Sequence, residues 1–137
     1  MLKKVVLALS LSASVAVSAF AEVAVIVHPE NTAEITAEDV ARMFLGKAGQ
    51  FSDGKEVLPI TQETATTTDA FNTGLLNRSS SQVASYWAKQ VFTGKGSAPK
   101  QVTDDAAVIS LVKDNKNAIS YVDASSVTGD VKVVLTK

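Results

Sequence analysis

The sequence predicts an α/β domain in which a small mixed sheet packs against helices. Two observations carry that reading. Short β-rich apolar runs at 22–27, 56–60, 117–124 and 130–136 bracket four stretches whose apolar residues recur at helical spacing. No repeat, low-complexity tract or linker divides the chain after its first 21 residues, so one domain is expected over 22–137.

The run EVAVIV at 22–27 is apolar enough for a buried strand, and HPENTAE turns the chain away from it. In ITAEDVARMFLGK, Thr36 has the chemistry of an N-cap, and Glu38 and Asp39 complement the positive end of the helix dipole. Gly46 followed by Lys47 marks the stop. Ala37, Val40, Met43 and Phe44 form the inward stripe of that helix. Residues 47–56 read as a polar loop with SDG as turn chemistry. EVLPI follows as a short strand, and Pro59 puts it at a sheet edge or near the strand's end.

A threonine-rich turn then leads into a helix that starts near Thr67 or Thr68 and carries Ala70, Phe71, Leu75 and Leu76. NRSSSQ breaks it, with Ser80 or Ser81 capping the next helix, where Val83, Tyr86, Trp87 and Val91 share a face. TGKGSAPK reads as a loop. TDDAAVISLVKDN opens on a capping Thr103 and presents Val108, Leu111 and Val112 inward. NAISYVDA and DVKVVLT close the chain as strands, the last with Val131, Val133 and Val134 as its apolar residues.

The first residues have the layout of a secretory signal peptide: a basic start at Lys3 and Lys4, an apolar core at 5–17, and Ala-Phe-Ala at 19–21. Cleavage there leaves 116 of 137 residues, exported, with no further segment apolar enough for membrane insertion. The chain has no cysteine, so neither a disulfide nor a lipid anchor on cysteine is open to it, and an apolar core must hold the fold. Loss of Lys3 and Lys4 leaves 11 basic against 14 acidic residues, a balance without the basic footprint of a nucleic-acid binder.

Enzymatic constellations are sparse. The single histidine, His28, stands beside Pro29 at a strand end, where a turn role fits it. One histidine and no cysteine argue against a zinc site, and no other metal site or cofactor is expected. Asp104 and Asp105 sit at a helix start, which the dipole explains. No nucleophile elbow or glycine-lysine phosphate loop occurs, so the chain is expected not to be an enzyme.

The turn in PITQETATTTDAFNTGLL has two readings. One threonine caps the helix, Asp69 supports its first turn and the others face solvent. Alternatively the free amides of the helix start, with the hydroxyls of Thr64, Thr66, Thr67 and Thr68, form a cradle for an oxyanion.

ITAEDVARMFLGK, the LPI strand, the polar turn before DAF, YWAKQVFTGKG and AISYVDAS occur here in one order over most of the chain. In that order they resemble the periplasmic phosphate-binding proteins of ABC transporters. The resemblance implies a single periplasmic-binding-protein-like lobe, phosphate or a similar small oxyanion as ligand, and an ABC permease as partner. It also implies Thr64, Thr66, Thr67 and Thr68 as the oxyanion contacts. Members of that family are usually more than twice as long and close two lobes over the ligand, and their binding turn carries an arginine and SGT. Here the region reads Gln62, Glu63, Thr64, Ala65, Thr66, Thr67, Thr68, without arginine or glycine. Ser120 stands where the family strand commonly has glycine. Binding by one lobe is expected to be weak unless a second copy, as a dimer, or another protein covers the site. The rival reading is an interaction module that keeps the fold without the ligand.

Overall fold

The computed structural model describes residues 21–137. The signal peptide expected over 1–21 therefore lies outside the described residues, save for Ala21. Five strands form one sheet in the order β3-β2-β4-β1-β5: β1 Val23–Val27, β2 Leu58–Gln62, β3 Lys100–Val102, β4 Ala118–Asp123 and β5 Lys132–Thr136. β1 runs antiparallel to β4 and β5, whereas β2 runs parallel to β3 and β4, so the sheet is mixed.

The helices are α1 Ala37–Phe44, α2 Ala65–Phe71, α3 Ser80–Phe92 and α4 Asp105–Asp114. They cover both faces of the sheet. Strand alternation sends Val23, Val25 and Val27 to one face, where they meet Val40, Met43, Phe44 and Phe71. Ala24 and Ile26 go to the other face, against Val108 and Val112 of α4. With partners on both edges and both faces, all five residues of β1 are buried, which is why its sequence is apolar without alternation. No helix among the described residues is long and apolar enough to cross a membrane.

Local signals fix several elements. Thr36 and Asp39 cap each other: the Asp39 N–H donates to Thr36 Oγ1 at 3.2 Å and the Thr36 N–H to Asp39 Oδ2 at 3.0 Å. Gly46 ends the turn at φ +71°, and a Cβ there would stand 2.9 Å from Cη2 of Trp87, so both conformation and space require glycine. Pro59 lies in an interior strand. Its missing N–H falls on the side where β3 has not yet begun, since pairing with β3 starts at Ile60↔Lys100.

Other expectations need correction. Ala37 is exposed, so the inward stripe of α1 consists of Val40, Met43 and Phe44. Ser79, one residue ahead of the serines expected to cap, closes a box with Gln82 at the start of α3. Asp104 takes the cap of α4 in place of Thr103: its Oδ1 accepts from the Ala107 N–H at 3.0 Å, the residue three positions on. β3 starts on Lys100, the last residue of the expected loop, and takes in Gln101 and Val102, since the edge of β2 offers three residues a ladder. The helical face of α3 becomes only partly core: Val83 and Tyr86 pack half-buried against the cluster around Phe44 and Phe71, whereas Val91 is 54% exposed and Phe92 92%. Val133 also stays exposed, on the outer strand β5.

Candidate functional site

The threonine turn leaves the carboxyl end of β2, a place where open α/β sheets commonly bind ligands. The Glu63 N–H pairs with the Val102 carbonyl at 3.0 Å, and Thr64 is the N-cap of α2 without a side-chain cap bond. The helix thus starts at Ala65, ahead of the expected start near Thr67 or Thr68. The bond from the Thr68 N–H to the Thr64 carbonyl, 3.0 Å, is the first of the helix, so the amides of residues 65–67 precede it.

The four threonines part company here. Thr64 and Thr66 are exposed, and Thr67 is buried at 4% exposure. The Thr68 hydroxyl donates to the Gln62 carbonyl at 2.8 Å and pairs with Tyr121 Oη at 3.0 Å. The Gln62 N–H in turn reaches Tyr121 Oη at 3.4 Å. Donor and acceptor capacity then leaves one assignment: amide to phenol, phenol to threonine, threonine to carbonyl, a closed ring of three bonds. Thr68 is therefore a strut between β2, α2 and β4. Burial pushes the Tyr121 phenol above its ordinary pKa, and the Gln62 N–H that its oxygen accepts opposes that only in part.

A second network joins the same strands and has no local signature. Gln62 is 1% exposed, and its Nε2 donates to Asp105 Oδ1 and to the Tyr121 carbonyl, both at 2.8 Å. Asp105 Oδ2 accepts from the Ser126 hydroxyl at 2.6 Å and the Asp123 N–H at 3.3 Å. Asp105 thus ties α4 to β2 and β4 beyond any effect on the helix dipole. Ser125 donates its hydroxyl, 2.6 Å, and its amide, 2.9 Å, to Asp123, which holds that carboxyl below the usual aspartate range. The Ser120 hydroxyl is spent on the Ile60 carbonyl at 2.6 Å, bridging β4 to β2.

The turn carries donors but little positive charge. Glu63 and Asp69 flank it, and Asp69 accepts from the Ser80 hydroxyl. Among the described residues no lysine or arginine bonds to the turn; the Arg78 guanidinium sits 5.0 Å over the Tyr86 ring instead. His28 accepts the Glu30 N–H on Nδ1 at 3.0 Å, the geometry of a turn residue. No group of three or more carboxylate or histidine side chains converges as a metal site among the described residues.

No protein-family model matches this chain, and no curated protein does. Solved structures do. An ABC-type phosphate transport receptor from Vibrio cholerae superposes with a TM-score of 0.62 at 16% identity, over 84% of this chain and 46% of the receptor. A phosphate-bound protein from Clostridium perfringens gives 0.64 at 20% identity, over 84% and 45%. PstS from Borrelia burgdorferi gives 0.58 at 16% identity, over 84% and 47%. At these identities the likeness is one of fold, and this chain spans under half the length of the structures it matches. The described residues therefore carry the α/β fold of a single periplasmic-binding-protein-like lobe, the lobe architecture of phosphate-transport receptors.

Proposed function

We propose that this chain is an exported, solute-binding-type domain that holds phosphate or a similar oxyanion at the start of α2 and serves an ABC transporter without catalysing a reaction. The signal peptide at 1–21 would direct it to the periplasm. The observation that carries the reading is the open start of α2. The amides of residues 65–67 precede the first helical bond, beside the exposed hydroxyls of Thr64 and Thr66 and directly after a strand's carboxyl end. Thr67 and Thr68 support this arrangement from behind, Thr67 through its buried position and Thr68 through its bond to the Gln62 carbonyl. With neutral donors, carboxylates on both flanks and one lobe, binding is weak, about millimolar, unless a second copy or another protein covers the site.

Isothermal titration with phosphate, and with sulfate as control, tests the reading. Saturable heat that Thr66→Ala reduces is expected. No heat and no change in melting temperature at millimolar phosphate refutes it.

A second reading, an interaction module that keeps the fold without the ligand, draws on a different observation. Val91 and Phe92 stand exposed at the end of α3. It requires that Phe92→Ser abolish biological activity while the double variant Thr66→Ala, Thr67→Ala retains it.

A further inference from the structure

We propose that the cavity at the end of the sheet remote from the threonine turn is a second binding site, which takes a small zwitterion of the α-amino acid class. The proposal does not depend on oxyanion binding at α2. Glu30 and Asn31 follow β1, Lys55 precedes β2, and Lys116 leads into β4. Because β1 runs antiparallel to β4 and β2 runs parallel to it, these residues gather at one end, opposite the carboxyl end of β2. The cavity that they line with Phe51 and Asp53 measures about 160 Å³. An engineered cavity of about 150 Å³ holds benzene, so this volume suits a guest of about six heavy atoms.

The observation that points to a ligand is Asn31, which is 8% exposed and lines the cavity. Its N–H donates to the His28 carbonyl, its carbonyl accepts from Lys132 Nζ, and its Oδ1 accepts from the Ala33 N–H, each at 2.9 Å. The last of these bonds fixes which end of the amide is nitrogen. Nδ2 has no partner among the described residues. It is not sealed in either, because the one fully buried side-chain atom without a partner there is Gln62 Oε1. A nearly buried and rigidly held amide thus keeps both of its protons free where the side chain meets the cavity.

Cations and anions share the rest of the lining in equal number. Lys116 and Glu30 pair at 2.8 Å, whereas no carboxylate pairs with Lys55 among the described residues. Asp53 Oδ1 accepts from the Lys55 N–H at 3.0 Å, which leaves Oδ2 open. The carboxylate of the guest meets Asn31 Nδ2 and Lys55, its ammonium meets Asp53 Oδ2, and a short apolar side chain rests on Phe51. An ion of one sign would satisfy half of this lining and be repelled by the other half. The lining therefore selects a guest that carries both signs.

L-Alanine is the probe; propionate lacks its ammonium and ethylamine its carboxylate. In a nitrogen-15 NMR titration of the native chain, millimolar L-alanine is expected to shift the Asn31 side-chain amide and the backbone amides of 51–55 saturably. The amides of 65–67, where phosphate is read, should stay in place. Propionate and ethylamine should each bind about tenfold more weakly, the worth of one charge-assisted bond. Lys55→Gln, at an exposed position, should weaken L-alanine by about the same factor and leave the rest of the spectrum unchanged. Asn31→Asp keeps the acceptor for the Ala33 N–H but loses the donor, and should abolish the response at 51–55. The absence of a saturable L-alanine response at Asn31 overturns the proposal. Propionate or ethylamine binding as tightly as L-alanine overturns it too, and so does undiminished affinity in Lys55→Gln or in folded Asn31→Asp. If Asn31→Asp does not fold, the probe series and Lys55→Gln decide.

Discussion

Thr68→Val tests the division of labour among the threonines. Valine keeps the shape but removes both the donor to the Gln62 carbonyl and the acceptor of the Tyr121 phenol. Two bonds at about 1 kcal/mol each give a loss of about 2 kcal/mol. Tyr121→Phe keeps the stack on Phe71 and loses one good bond and one long one, the 3.4 Å contact from the Gln62 N–H, for about 1.5 kcal/mol. The two substitutions share the 3.0 Å bond between the residues. The double variant should therefore cost less than the sum by about 1 kcal/mol. Urea denaturation of the native chain, both single variants and the double variant closes the cycle, and each kcal/mol should also lower Tm by about 4 °C. Additivity within about 0.5 kcal/mol shows that the ring does not act as a unit. A Thr68→Val variant of native stability but reduced phosphate binding shows instead that the hydroxyl faces the ligand, and the structural role assigned to it fails.

Gly46→Ala places a Cβ against Trp87 at a left-handed backbone position and should cost about 2 kcal/mol. Because Trp87 is the chain's one tryptophan, a shift in its fluorescence reports the displacement directly, and unchanged emission with unchanged stability contradicts the packing described. Asp105→Ala leaves the Ser126 hydroxyl and the Asp123 N–H without their acceptor and should cost about 2–3 kcal/mol, against about 1 kcal/mol for removing the Asp104 cap. Equal losses in thermal unfolding return Asp105 to a simple helix-start role. Asp123 has a depressed folded pKa, so its contribution is present above the ordinary aspartate range, about 3.9, and is lost as pH falls through the folded value. Ser125→Ala should raise that pKa toward the ordinary value in a carboxyl NMR titration. A pKa that does not move removes Ser125 as the cause.

What the sequence determined by itself is the set of local features. The Thr36 cap, the Gly46 stop, the unbroken apolar run of β1 and the α/β order all follow from contacts within a turn or from the alternation of a strand. Such contacts are written in adjacent letters, so a linear reading recovers them. The position of the threonine turn after LPI was legible in the same way. Which threonine keeps a free hydroxyl depends on contacts between distant segments. Thr68 finds Tyr121 across 53 positions, and Gln62 finds Asp105 across 43. Chain folding sets these meetings, and no spacing of residues announces them. The same holds for β3, three residues that become a strand because the edge of β2 lies beside them. It holds for α3 as well. Its apolar face has the right period, yet Val91 and Phe92 extend past the part of the helix that packs on the core, so they remain in solvent. Periodicity records which side of a helix can be buried, while the extent of the surface beneath it decides how much of that side is.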